Sequence, residues 1–140
     1  MTIQDLSQDI ALAKKAAFKS GKFLLNEKDQ INKRLNYDSK DVKLKADIES
    51  ENLIKSIISL ESKYPILAEE SGKSSEDLGE IFWVIDPLDG TANYSRDIPI
   101  CCVSIGLVKE MKPLLGVIYD FNNNQMYSGD IFTNSANMND

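Results

Sequence analysis

The apolar run Ile81-Phe82-Trp83-Val84-Ile85 breaks off on Asp86-Pro87-Leu88-Asp89-Gly90-Thr91, and no other segment constrains the fold so tightly. Five consecutive apolar residues of β-branched and aromatic type read as a fully buried strand. Pro87 is expected to end it, because proline cannot donate to a ladder. A glycine turn follows, and Thr91 is placed to open a short helical turn. Two carboxylates therefore stand at the mouth of a buried strand.

The remaining periodicities supply elements to cover that strand. Ile3, Leu6, Ile10, Ala13, Ala17, Gly21 and Leu24 recur at spacings of three and four, one face of a helix from about residue 3 to 26. Thr2 with Asp5 resembles its cap, and Ala16 and Phe18 extend the stripe. Residues 27–43 read as a polar loop with a short strand near Val42 and Leu44. A second helix is expected from Ala46 to Leu60, with Leu53, Ile54, Ile57 and Ile58 inward and Asp47 in its first turn. Tyr64 to Ala68 is a short strand delivering Glu69 and Glu70. Ser71 to Glu80 is a loop. Ile100 to Val108, Leu114 to Tyr119 and Gln125 to Tyr127 form a meander with tight turns, and Ser128 to Asp140 adds no further element. Helix, helix, then strands gives an α+β fold, layered helices on a mostly antiparallel sheet.

At 140 residues the chain fits one domain. With 16 Lys+Arg against 22 Asp+Glu the net charge is −6, which offers no general attraction to nucleic acid or an anionic membrane. Histidine is absent, which excludes Ser-His-Asp and Cys-His mechanisms and His-ligated zinc. The adjacent Cys101 and Cys102 point to opposite faces of a strand, so they read as core thiols rather than a disulfide. No stretch reads as a signal peptide or membrane span, and a cytoplasmic location is the expectation.

Asp86 and Asp89, three apart across a tight turn, can converge on one point that the Leu88 carbonyl also faces. Hard cations such as magnesium take oxygen ligands of this kind. Asp-Pro and Asp-Gly also make plain turns; the buried strand before them and Thr91 after them favour a site. Gly90, Thr91 and Ala92 can offer backbone N–H groups to a phosphate, and Thr91 can equally be a helix cap. Glu69 and Glu70 point in different directions, so one of them can reach the cluster.

Asp86-Pro87-Leu88-Asp89-Gly90-Thr91 resembles the signature of the inositol monophosphatase superfamily, magnesium-dependent, lithium-sensitive sugar phosphatases. Ala68-Glu69-Glu70-Ser71 is similar to the family's Gly-Glu-Glu-Ser. Val103-Ser104-Ile105-Gly106 is similar to the strand after the signature, and Asp41-Val42 through Ala46-Asp47 falls in family register.

The resemblance implies a phosphate monoester hydrolase that uses metal-activated water in line, without a phosphoenzyme. Glu69, Asp86, the Leu88 carbonyl and Asp89 would be metal ligands for magnesium, two or three ions in a complete enzyme. Asp47, Thr91 and Glu69 would be catalytic, with Asp47 and Thr91 orienting the attacking water. Glu69, Leu88, Asp89, Gly90 and Thr91 would meet the substrate. Thr91-Ala92-Asn93-Tyr94 leans toward inositol monophosphate; 3'-phosphoadenosine 5'-phosphate and fructose 1,6-bisphosphate are the alternatives within the superfamily. Family members are commonly homodimers.

Three departures stand out. Ala68 replaces a glycine, and Lys43-Leu44 replaces a Val-Thr pair ahead of Asp47. The family's Trp-Asp-x-Ala segment, which completes a second metal site, has no match. On this reading residues 1–140 are the N-terminal, metal- and phosphate-binding part of the domain. The alternative of another class is a catalytically inactive chain that keeps one cation site or serves as an interaction module.

Overall fold

The computed structural model describes residues 5–37, 42–133 and 135–139; Thr2, Ile3 and Asp41 lie outside them. The element order is α1 (Ser7–Asn26), α2 (Lys28–Ile31), α3 (Lys45–Glu61), β1 (Ile66–Ala68), β2 (Gly72–Lys73), β3 (Ile81–Asp89), α4 (Thr91–Ser95), β4 (Cys102–Lys109), β5 (Lys112–Asp120), β6 (Gln125–Asp130) and β7 (Ser135–Met138). The strands form one sheet in the order β2-β1-β3-β4-β5-β6-β7. β1 runs parallel to β3, and every other pairing is antiparallel.

Helix α1 packs on α3 and on β4 to β6, while α3 packs on β3. Their inward faces, Leu12, Ala13, Ala17, Leu24, Ile54 and Ile58, meet Trp83, Ile85, Val103, Ile105, Val117 and Tyr119 in one core. Gly21 sets the spacing: a Cβ there would fall 2.4 Å from the Tyr119 ring. The indole Nε1 of buried Trp83 donates to Ser62 Oγ at 2.9 Å, so the strand centre is tied to the end of α3. The opposite sheet face leaves Val84, Ile118, Tyr127 and Met138 exposed.

Four expectations are corrected. Phe18 is 44% exposed and does not extend the α1 stripe, because it sits over the edge of Tyr119 with Lys22 above its ring. The loop after α1 contains the helical turn α2, and Leu44 contributes only an isolated bridge to Arg34. Pro87 does not end β3. The β3–β4 register breaks between Asp86 and Asp89, so proline sits where no ladder donor is required. The polar tail also does not end the sheet: β6 runs on to Asp130 and β7 pairs with it.

Candidate metal and phosphate site

Parallel pairing builds the acidic centre. Ala68 of β1 lies opposite Ile85 of β3, so the next residues, Glu69 and Asp86, leave the two strands side by side. The closeness of the Asp86 carboxylate, with partial burial and the charges of Glu70 and Asp47, pushes the Glu69 carboxyl up to about 8, because several anionic oxygens share the space.

Helix α3 brings in a third carboxylate, Asp47. The Leu44 amide donates to Asp47 Oδ2 at 2.8 Å, and the Asp47 amide donates back to Leu44 O at 3.1 Å. This is half of a capping box, since a leucine side chain accepts nothing. The departure at Lys43-Leu44 thus leaves Asp47 well held, because a backbone N–H does the work. Thr91 Oγ1 lies 2.8 Å from Asp47 Oδ1 and 3.1 Å from Leu88 O. Burial of Asp47, only 3% exposed, pushes its carboxyl up to about 6 despite the bonds from Leu44 and Thr91 that favour the anion.

The turn between β3 and α4 is fixed by Gly90, at φ 97°. A Cβ there would sit 2.8 Å from the Ile100 carbonyl and 3.0 Å from Cys101 Cβ, so only glycine fits. The Asp89 carboxylate meets Cys102, with its Oδ2 3.8 Å from Cys102 Sγ. It borders a cleft of about 420 Å³ lined also by Gly90, Asn93, Ile100, Cys101, Cys102, Asp120 and Asn123. Burial and then the Asp89 charge push the Cys102 thiol up to about 12, and burial raises Cys101 as well, so neither is a thiolate nucleophile. Both cysteines are free, as the sequence implied.

Asn93 and Tyr94 serve the scaffold. Asn93 Nδ2 donates to Ile100 O at 2.8 Å, and the buried Tyr94 hydroxyl donates to Leu24 O at 2.6 Å under Lys28. These two residues therefore say little about the substrate.

The structure thus gathers Glu69, Asp86, Asp47, Thr91 and the Leu88 carbonyl, and leaves Asp89 at the rim. Among the described residues no three acidic or cysteine side chains close around one point. The donor set nevertheless fits a hard divalent cation: it is all oxygen, and the neighbouring carboxylates that raise the Glu69 carboxyl mark a place where positive charge is favoured. Lys43, whose Nζ lies 3.0 Å from Glu70 Oε2, is the ion-pair partner beside the cluster.

Sequence reasoning missed two residues on the inward face of α3. Ser50 Oγ donates to Pro87 O at 2.9 Å. Buried Glu51 accepts the amides of Glu70 at 2.7 Å and Ser71 at 3.0 Å. Their spacing from Asp47, three and four residues on, places all three on one helix face and was the available signal.

Comparison with known proteins identifies the family and the fold. The sequence model of the inositol monophosphatase family matches residues 5–136. Protein qutG of Emericella nidulans is 38% identical over 136 residues, 89% of this chain and 41% of its own. A fructose-1,6-bisphosphatase/inositol-1-monophosphatase of Aquifex aeolicus is 35% identical over 121 residues, 84% of this chain and 45% of its own. The solved inositol monophosphatase of Anabaena superposes with a TM-score of 0.77 at 35% identity, over 96% of this chain and 48% of that one. The chain spans about half the length of the relatives it matches.

Proposed function

The chain belongs to the inositol monophosphatase family, and we propose that it carries the carboxylate and water-orienting part of a magnesium-dependent phosphate monoester hydrolase. The observation that carries this is the Thr91 hydroxyl set against Asp47 beside Glu69 and Asp86, which follow the paired Ala68 and Ile85 on neighbouring strands. In the proposal Glu69, Asp86 and the Leu88 carbonyl hold one cation, and Asp89 is a ligand of a second. When bound, magnesium would offset the charge of the phosphate and lower the pKa of a coordinated water.

The residues of the chain have definite tasks in this scheme. Thr91 and Asp47 orient a water molecule, and Asp47 takes its proton. A bond forms from the water oxygen to phosphorus, the ester P–O bond breaks, and the leaving alkoxide takes a proton from solvent water to depart as the alcohol, while Asp47 returns its proton to solvent. The Gly90 and Thr91 amides face the phosphate, and the cleft beside Asp89 receives the alcohol portion. The substrate proposed is inositol monophosphate or a related sugar phosphate; the name of the Aquifex relative keeps fructose 1,6-bisphosphate as a second substrate to be assayed.

The test is magnesium titration by calorimetry on the chain and on Asp86→Asn, with phosphate release from both substrates followed in parallel. Asp86→Asn should lose magnesium binding while its circular dichroism is unchanged. Undiminished binding in that variant would sink the metal assignment.

A further inference from the structure

Helix α3 presents Asp47, Ser50 and Glu51 on one face, and each grips a different segment of the site. Asp47 takes Thr91, Ser50 takes the Pro87 carbonyl, and Glu51 takes the turn that follows β1. Glu51 is 2% exposed, and its two carboxylate oxygens accept one amide each, Glu70 N at 2.7 Å and Ser71 N at 3.0 Å. Those amides belong to the two peptide planes immediately after Glu69. One helical turn on, Lys55 Nζ donates to Ser71 Oγ at 2.8 Å and fixes the same turn from outside.

We propose that Glu51 is a positioning residue: through the Glu70 and Ser71 amides it locks the turn that aims Glu69 at Asp86, and so sets the affinity of the site for a divalent cation. The inference rests on the reading of Glu69 and Asp86 as cation ligands. Its physical basis is that a buried carboxylate accepting two charge-assisted backbone bonds makes a stiff anchor. β1 is only three residues long and restrains the turn little by itself. Outer-sphere partners of ligating carboxylates typically govern affinity by roughly 10- to 100-fold.

The experiment titrates magnesium alone by calorimetry into the full chain and into Glu51→Asp, Glu51→Gln, Asp86→Asn and Ser20→Ala. Amide hydrogen exchange at Glu70 and Ser71 is read on each. Ser20→Ala removes a buried hydrogen bond within α1, far from the turn, and controls for general destabilisation. Glu51→Asp keeps the charge but is one methylene too short to hold both amides; Glu51→Gln keeps the length but can accept from only one side.

Both Glu51 variants should bind magnesium roughly 10- to 100-fold more weakly, with faster exchange at Glu70 and Ser71, while Ser20→Ala binds normally. Magnesium affinity within twofold of the unsubstituted chain in both variants would overturn the proposal. So would a loss in Glu51→Gln alone, which would mark Glu51 as a source of charge only. Absence of magnesium binding by the unsubstituted chain, or undiminished binding by Asp86→Asn, would instead defeat the metal reading. Should neither Glu51 variant fold, exchange in the unsubstituted chain decides. Glu70 and Ser71 amides protected like the interior of α3 support the anchor, and amides exchanging like those of the exposed Ser75–Glu76 loop refute it.

Discussion

Thr91 Oγ1 stands 2.8 Å from Asp47 Oδ1, although 44 residues of chain separate them. The contact joins the start of α4 to the start of α3 across the end of β3. Its two partners are each held on a second side, Asp47 by the Leu44 amide and Thr91 by the Leu88 carbonyl. The water-orienting role proposed for the pair would depend on this doubled restraint, because positioning is lost when either member can swing.

Removing the hydroxyl tests the pair. Thr91→Val keeps the shape and leaves Asp47 Oδ1 without its donor. We expect phosphate release to fall by roughly 10²–10⁴-fold, the usual range for a general acid–base group, and stability to fall by about 1 kcal/mol. Thr91→Ser should retain most of both. Steady-state assay with thermal denaturation checks this, and a Thr91→Val chain as active as Thr91→Ser would contradict the assigned role.

Asp47 also predicts the pH dependence of stability. Its carboxyl is raised from 3.8 to about 6 on folding, chiefly by burial. Between those values the folded chain binds more protons than the unfolded one, so this group's stabilisation is present at low pH and is lost as pH rises through about 6. The loss is on the order of 1–3 kcal/mol. Asp47→Asn, which still accepts from the Leu44 amide, should therefore exceed the unsubstituted chain in stability at pH 7.5 and lose that advantage at pH 4, while its hydrolysis is abolished. Urea denaturation at the two pH values measures the difference; a difference independent of pH would show that burial does not govern this carboxyl.

Much of this arrangement was legible in the sequence where local chemistry leaves a mark. The Asp86-to-Thr91 run, the α1 and α3 stripes and the meander are patterns of burial period and turn residues, and they emerged as expected. The continuation of β3 through Pro87 was not legible, because it depends on a bulge between strands that only tertiary pairing creates. β7 was missed because Ser135 to Met138 is only four residues long, with small and polar neighbours, too short for its alternation to stand out; it is a strand because β6 offers it a ladder. Glu51 reads as an ordinary helix glutamate until the Glu70 and Ser71 amides arrive from 19 and 20 residues away. The neighbour of Asp89 was not legible either: Cys102, 13 residues on, brings its Sγ to 3.8 Å from Asp89 Oδ2 through the β3–β4 pairing.

Gly90 should tolerate no side chain. Gly90→Ala meets the Ile100 carbonyl at 2.8 Å and must also hold φ 97°. Backbone cannot yield as a flexible side chain does, so we expect a loss on the order of 1–3 kcal/mol. A melting temperature lower by several degrees is the readout, accompanied by weaker protection of the Thr91 to Ser95 amides. An unchanged melting temperature would mean that the turn has another conformation.

Gly21→Ala offers a test by sign. In an ordinary helix interior alanine gains roughly 0.5–1 kcal/mol over glycine, and Gly21 lies in the middle of α1. Here the added Cβ would fall 2.4 Å and 2.6 Å from two Tyr119 ring atoms and 2.9 Å from Phe121 Cβ. The Tyr119 hydroxyl is hydrogen-bonded to Asn124 Oδ1 at 2.7 Å, and its ring stacks against Phe18 at 5.5 Å, so it has little room to retreat. Overpacking of this kind typically costs about 1–3 kcal/mol, which outweighs the gain in helix propensity. Gly21→Ala should therefore destabilise the chain, with the α1–sheet spacing widened and Tyr119 fluorescence altered. Stabilisation by the same substitution would show that α1 lies farther from β5 than the structure places it.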